Sequence, residues 1–161
     1  MTKKQFWMKA DQIADSKKTM DEKAEQMASL LRSAYDENLP VVILYEEGAD
    51  GKQRQVYMNF DDEHPNTIGN RVMMFYSSLR KAESDLRAKA MNKLWGEASA
   101  KDTLNNIMLK DAVGFIIFNC HTQNSCVIVS KAVLKQYIPG PYGIPEGFTD
   151  VPVSGYPEIK R

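Results

Sequence analysis

Met20, Ala24, Met27, Leu31 and Ala34 recur at spacings of four, three, four and three, the apolar stripe of an amphipathic helix. Thr19 followed by Glu22 supplies an S/T-x-x-E capping box at its start, in which each side chain satisfies a backbone donor left open by the first turn. Pro40 restricts the residue before it and lacks a donor of its own, so the helix stops by Asn38 and Leu39. A weaker pattern over residues 3 to 14, carrying Phe6, Trp7, Ala10 and Ile13, predicts a short helix ahead of it.

The period then changes. Val41 to Tyr45 is a run of mostly β-forming residues, and Asp50-Gly51 beyond it is a hairpin dipeptide. Val56, Met58 and Phe60 alternate with polar or amphipathic neighbours as a half-buried strand does, so these two strands read as a hairpin. Residues 61 to 69 read as a loop and Val72 to Tyr76 as a third strand. Ser77 or Ser78 caps a helix whose face is Leu79, Ala82, Leu86, Ala90 and Leu94, ended by Gly96 near Trp95. Asp102 caps a second short helix with Leu104, Ile107 and Met108 inward. Val113 to Phe118 and Cys126 to Val129 are strands around the polar turn His121 to Ser125, and Ser130 caps a last helix with Val133, Leu134, Tyr137 and Ile138. From Pro139 onward proline and glycine predominate, predicting an irregular surface tail.

Val41 to Tyr45 and Val113 to Phe118 lack alternation, which places them centrally in a sheet covered on both faces. Hairpins mixed with helical crossovers make that sheet mixed. The expected fold is α+β, a single domain with a mixed sheet of about five strands and helices on its faces. Residues 1–18 form an N-terminal helical extension, 19–138 the domain and 139–161 a Pro/Gly-rich tail.

Composition narrows the function classes. The 161 residues hold 21 Lys plus Arg against 21 Asp plus Glu, a zero net charge that weighs against nucleic-acid binding. Arg80, Lys81, Arg87, Lys89 and Lys93 are interleaved with Glu83 and Asp85, which reads as a solvated helix face. No apolar run reaches the roughly 20 residues a membrane span needs, and Asp11, Asp15, Lys17 and Lys18 interrupt the place of a secretory h-region. Two cysteines are too few for a disulfide framework, so a cytoplasmic, reduced protein is expected. Phosphate-binding glycine motifs and H-E-x-x-H are absent. Nine methionines, Met73, Met74, Met91 and Met108 among them, read as core filler, with an adaptable peptide-binding surface as the sharper alternative.

Cys120, His121 and Cys126 are the one cluster of reactive types. C-H-x4-C offers three ligands where structural zinc takes four, so no metal is expected. As a nucleophile, Cys120 needs a base, and adjacent residues on an extended strand point to opposite faces, although in a turn they need not. Asp61, Asp62 and Glu63 lack the spacing of a calcium loop and read as solvated.

The segment Asp111-Ala-Val-Gly-Phe-Ile-Ile-Phe-Asn119, a short polar turn, Cys-Val-Ile-Val-Ser130 and an apolar helix together resemble the N-terminal domain of the enhanced serine sensitivity (SseB) family. Phe75-Tyr76-Ser77 stands where that family has a Phe-Thr-Ser or Phe-Thr-Asp step before a helix. The likeness spans roughly residues 20 to 138. Tyr76 replaces the threonine, and Cys120 replaces the proline that usually follows the asparagine. It implies an α and β domain without an established catalytic mechanism.

The resulting expectation is a non-enzymatic cytoplasmic domain, without cofactor or metal, that binds a protein or small-molecule partner or itself as a homo-oligomer. Its contact surface is expected at Asn119, His121, Asn124, Phe75 and Ser77, because polar side chains converge there at the ends of apolar strands. The alternative is a thiol-dependent enzyme using Cys120 with His121.

Overall fold

Val41 to Tyr45 needs neighbours on both edges and cover on both faces, and the computed structural model supplies them. It describes residues 1–47, 53–55, 57–59, 68–85, 94–122, 124–143 and 154–155. The strands are β1 (Pro40–Glu47), β2 (Gln53–Gln55), β3 (Tyr57–Asn59), β4 (Arg71–Tyr76), β5 (Leu94–Ser99), β6 (Val113–Phe118), β7 (Val127–Ser130) and β8 (Ser154–Gly155). The helices are α1 (Lys3–Asp15), α2 (Met20–Glu37), α3 (Leu79–Glu83), α4 (Ala100–Leu109) and α5 (Lys131–Tyr137). Among the described residues the sheet runs β7-β6-β4-β1-β5-β8, with β2 added to β1 and β3 to β4. The pair β4 and β6 is parallel and the other pairs are antiparallel, so the sheet is mixed and the fold is α+β.

Both apolar runs lie inside the sheet, as their lack of alternation requires. Val41, Ile43 and Tyr45 of β1 face one core, together with Phe6, Met27, Leu31, Leu104 and Leu134 from α1, α2, α4 and α5. Val42 and Leu44 face the other, with Val72, Met74, Tyr76, Trp95 and Ala82. α1 belongs to the first core: Phe6, Ala10 and Ala14 are buried, and Trp7 Nε1 donates to Pro40 O at 3.1 Å. Its pattern is weak, but Thr2 and Gln5 form a complete capping box. Thr19, Ser78 and Ser130 cap α2, α3 and α5, each accepting from a backbone amide three residues on.

Four expectations are corrected. The helix running from Leu79 to Leu94 ends at Glu83, and Leu94, Trp95 and Gly96 instead begin β5, which pairs with β1 through Tyr45, Leu44 and Ile43. Apolar residues four apart fit a helix face, but the open edge of β1 is satisfied only by another strand; Leu86 and Ala90 lie outside the described residues. The hairpin partner of β1 is Gln53–Gln55, whereas Tyr57–Asn59 pairs with β4. Val56, Phe60 and the 48–51 turn lie outside the described residues. Ser99, not Asp102, caps α4, its hydroxyl accepting from Asp102 N. Ser154–Gly155 of the tail pairs with β5 as a further strand, while Pro139 to Gly143 lies at the surface.

Candidate functional site at the carboxyl ends of the parallel strands

Because β4 and β6 are parallel with Phe75 opposite Phe118, the chain leaves both strands at the same end of the sheet. Segments 75–77 and 119–125 are therefore neighbours. Asn119 N continues the ladder by donating to Phe75 O at 3.0 Å. Asn119 then takes φ of 55°, a left-handed conformation that asparagine tolerates better than most residues, and the strand turns. Thr122 N donates to Asn119 O at 3.0 Å and Ser125 N to Thr122 O at 3.1 Å, so two consecutive turns carry the chain back to β7.

The Asn119 side chain fastens this turn to β4. Its Oδ1 accepts from Ser77 N at 3.1 Å, and its Nδ2 donates to Ser77 Oγ at 2.9 Å and to Ser125 O at 3.1 Å. α1 closes over the junction. Ser77 Oγ donates to Asp11 Oδ1 at 2.5 Å, and Asp11 Oδ2 lies 3.5 Å from Arg80 Nη2. Asp15 Oδ1 accepts from Lys81 Nζ at 2.7 Å and from Ser125 Oγ, while Lys81 Nζ also donates to Ser125 Oγ at 3.1 Å. Buried Lys23 donates from Nζ to Ala14 O at 2.7 Å and to Asn124 O at 3.3 Å, joining the end of α1 to the turn.

Burial pushes the Asp15 carboxyl up, but bonds from Lys81 and Ser125 and the charges of Lys81 and Arg80 outweigh it and leave it below its ordinary 3.8. The unfolded chain therefore binds the extra proton, and the stabilisation is present above 3.8 and lost as pH falls through the folded value. Asp15→Asn should melt below wild type by a constant margin above about pH 5, and the two should converge in more acid solution. A margin that stays constant to the lowest pH removes this role from Asp15.

A second group of ionisable side chains lies toward the other core. Asp85, buried, accepts from Tyr76 Oη at 2.5 Å, and His121 Nδ1 lies 2.8 and 2.9 Å from its two carboxyl oxygens. Burial, then the hydrogen bond to Asp85 and its charge, push the Tyr76 phenol far up and keep it a donor. Cys120 packs, partly buried, against the cluster containing Tyr76, as does Cys126. Cys120 thus lies against the cluster containing Tyr76, and His121 reaches Asp85, which also holds Tyr76. Nδ1 is the ring nitrogen of His121 that Asp85 engages. Burial raises the Cys126 thiol, with Lys23 pulling it back down.

Of the residues expected at a contact surface, Phe75, Ser77 and Asn119 are buried and bonded within the chain, and Phe75 stacks edge-to-face on Phe118 at 5.3 Å. His121 is committed at Nδ1 to Asp85. Asn124 is exposed, and so is Thr122 beside it. Sequence reading missed Asp11, Asp15, Lys23, Lys81 and Asp85. The first two stand four apart on α1, a spacing that puts both on one helix face. Among the described residues no group of three or more His, Cys, Asp or Glu could hold a metal ion, and no helix is long and apolar enough to cross a membrane.

The chain was compared with protein-family models, with curated proteins and with solved structures, and none of them matches.

Proposed function

We propose that this chain is a non-enzymatic cytoplasmic domain, similar to the SseB N-terminal domain in its strand and turn order, that presents its 119–125 turn to a protein partner. The observation that carries the reading is the bonding of the turn to both α1 and β4 through Asn119, Ser125 and the Asn124 carbonyl, with the Thr122 and Asn124 side chains left exposed. A turn held in one conformation loses little entropy on binding, and loops on a rigid scaffold are where recognition concentrates.

The test uses the exposed positions and leaves the buried clamp intact. Thr122→Arg with Asn124→Arg should melt with wild type and lose at least tenfold in affinity for a partner captured by the wild-type chain. A double variant that folds and keeps that partner at wild-type affinity removes the turn from the interface. The Asp85–His121 bond favours one second reading, a thiol-dependent enzyme using Cys120 with His121. Iodoacetamide labelling of Cys120 at the rate of an ordinary free thiol near neutral pH ends it.

A further inference from the structure

α1 and α2 leave between them an open groove of about 410 Å³, toward the lower end of the ~300–1,000 Å³ that ligand sites occupy. Lys9, Gln12 and Ile13 line it from α1 at spacings of three and four, which share one helix face. Gln26 and Leu30, four apart, line it from α2. Lys18, in the connection between the helices, stands at one end of the groove, with Lys9 nearly two turns back along α1. Ile13 and Leu30 are partly buried on the core and make an apolar floor, while Lys9, Gln12 and Lys18 are exposed.

The charge of the groove has one sign. Its lining holds two lysines and no carboxylate. The acids of α1 are engaged on another face, Asp11 with Ser77 and Arg80, and Asp15 with Lys81 and Ser125. Asp21 and Glu22, in the first turn of α2, do not line it. Among the described residues Lys9, Gln12, Lys18 and Gln26 have neither a hydrogen bond nor an ion pair within the chain, whereas Lys23 and Lys81 on neighbouring faces have both their bonds made. Four polar side chains around an apolar floor thus keep their bonding capacity for something outside the chain.

These features select the occupant. Lysines at the two ends match two negative charges, and the floor matches one apolar side chain between them. Glutamine amides both donate and accept, as the N–H and C=O groups of an extended backbone require. Single-stranded nucleic acid calls for stacking aromatics, and none lines the groove. From Lys9 to the end of α1 at Asp15 is about 9 Å at 1.5 Å per residue, with Lys18 beyond it. An extended peptide spans about 13 Å in four residues and puts every second side chain on one face.

We propose that the α1–α2 groove docks an acidic segment of a partner protein, bound extended in the pattern acidic-x-apolar-x-acidic. The apolar side chain rests on Ile13 and Leu30, one carboxylate meets Lys9 and the other meets Lys18. This goes beyond the reading of the 119–125 turn and does not rest on it.

The probe is a fluorescein-labelled peptide carrying Glu-Ser-Leu-Ser-Glu between terminal glycines, titrated with the purified full chain and read by fluorescence anisotropy. Saturable binding with a Kd below about 1 mM is expected, weakening several-fold between about 0.05 and 0.5 M salt. Lys9→Glu with Lys18→Glu should keep the wild-type melting temperature and lose at least about tenfold in affinity. Lys9→Arg with Lys18→Arg should bind as wild type does. A peptide with lysine in place of both glutamates should not bind, and one with serine in place of leucine should bind several-fold more weakly. Thr122→Arg with Asn124→Arg should bind the probe as wild type does, so the two readings fail separately. The proposal is overturned by no saturable binding to the wild-type chain, by equal binding of the lysine peptide, or by wild-type affinity in the folded charge-reversed variant. Displacement of the probe by an oligouridylate as readily as by unlabelled peptide overturns it as well.

Discussion

Asn119→Ala should lower the melting temperature by about 10 °C, a loss of roughly 3–5 kcal/mol in a chain of this size. Its side chain is buried and bonded to Ser77 N, Ser77 Oγ and Ser125 O. Truncation strands the Ser77 amide and the Ser125 carbonyl at a buried junction, each at about 1–3 kcal/mol. The backbone adds to this, since φ of 55° costs an alanine about 1 kcal/mol more than a glycine. Asn119→Gly should therefore melt above Asn119→Ala and below wild type. Thermal denaturation of the three proteins gives the order directly. Equal melting of all three would mean that the clamp contributes nothing.

Phe75→Ala should cost about 3–5 kcal/mol. Phe75 sits in β4 between Ile43 of β1 and Phe118 of β6, is 1% exposed, and meets the Phe118 ring edge-to-face at 5.3 Å. Removing the ring leaves a cavity in the middle of the sheet that the parallel and antiparallel neighbours cannot both close. Phe75→Leu fills most of that volume and should lose clearly less. Urea denaturation separates this role from the one expected for Phe75 at a contact surface. A Phe75→Ala protein of wild-type stability that fails to bind would restore Phe75 as a contact.

The centre of the sheet was legible because of what β1 and β6 lack. Val41 to Tyr45 and Val113 to Phe118 offer no polar face to water, and a strand of that kind has few places to go. Thr19, Ser78 and Ser130 were legible for a local reason, since a hydroxyl before a helix satisfies an amide three residues away. β5 was not. Leu94 continues the spacing of Leu86 and Ala90, and Gly96 and Glu97 are poor strand formers, so its state is decided by the edge of β1 rather than by its own residues.

The site was half legible in the same sense. The Phe75–Ser77 and Asn119–Ser125 segments were expected to be neighbours if their strands paired, and β4 and β6 do pair. The roles within them depend on α1, whose Asp11 and Asp15 reach Ser77 and Ser125 from 66 and 110 residues away in the chain. A serine or asparagine at a strand end suggests a surface group until the helix that buries it is known. Likewise, whether Cys120 and His121 share a face was open from the sequence, because the chain turns there, and the left-handed Asn119 is where it turns.

A pre-organised turn is the physical claim beneath the proposed function, and amide hydrogen exchange measures it most directly. The amides of Ser77, Asn119, Thr122 and Ser125 are each hydrogen-bonded within the junction. They should exchange as slowly as the amides in the centre of β4 and β6, opening only with the whole fold. Exchange of Thr122 and Ser125 at the rate of an unbraced loop, with Ile116 and Phe75 still protected, would contradict it.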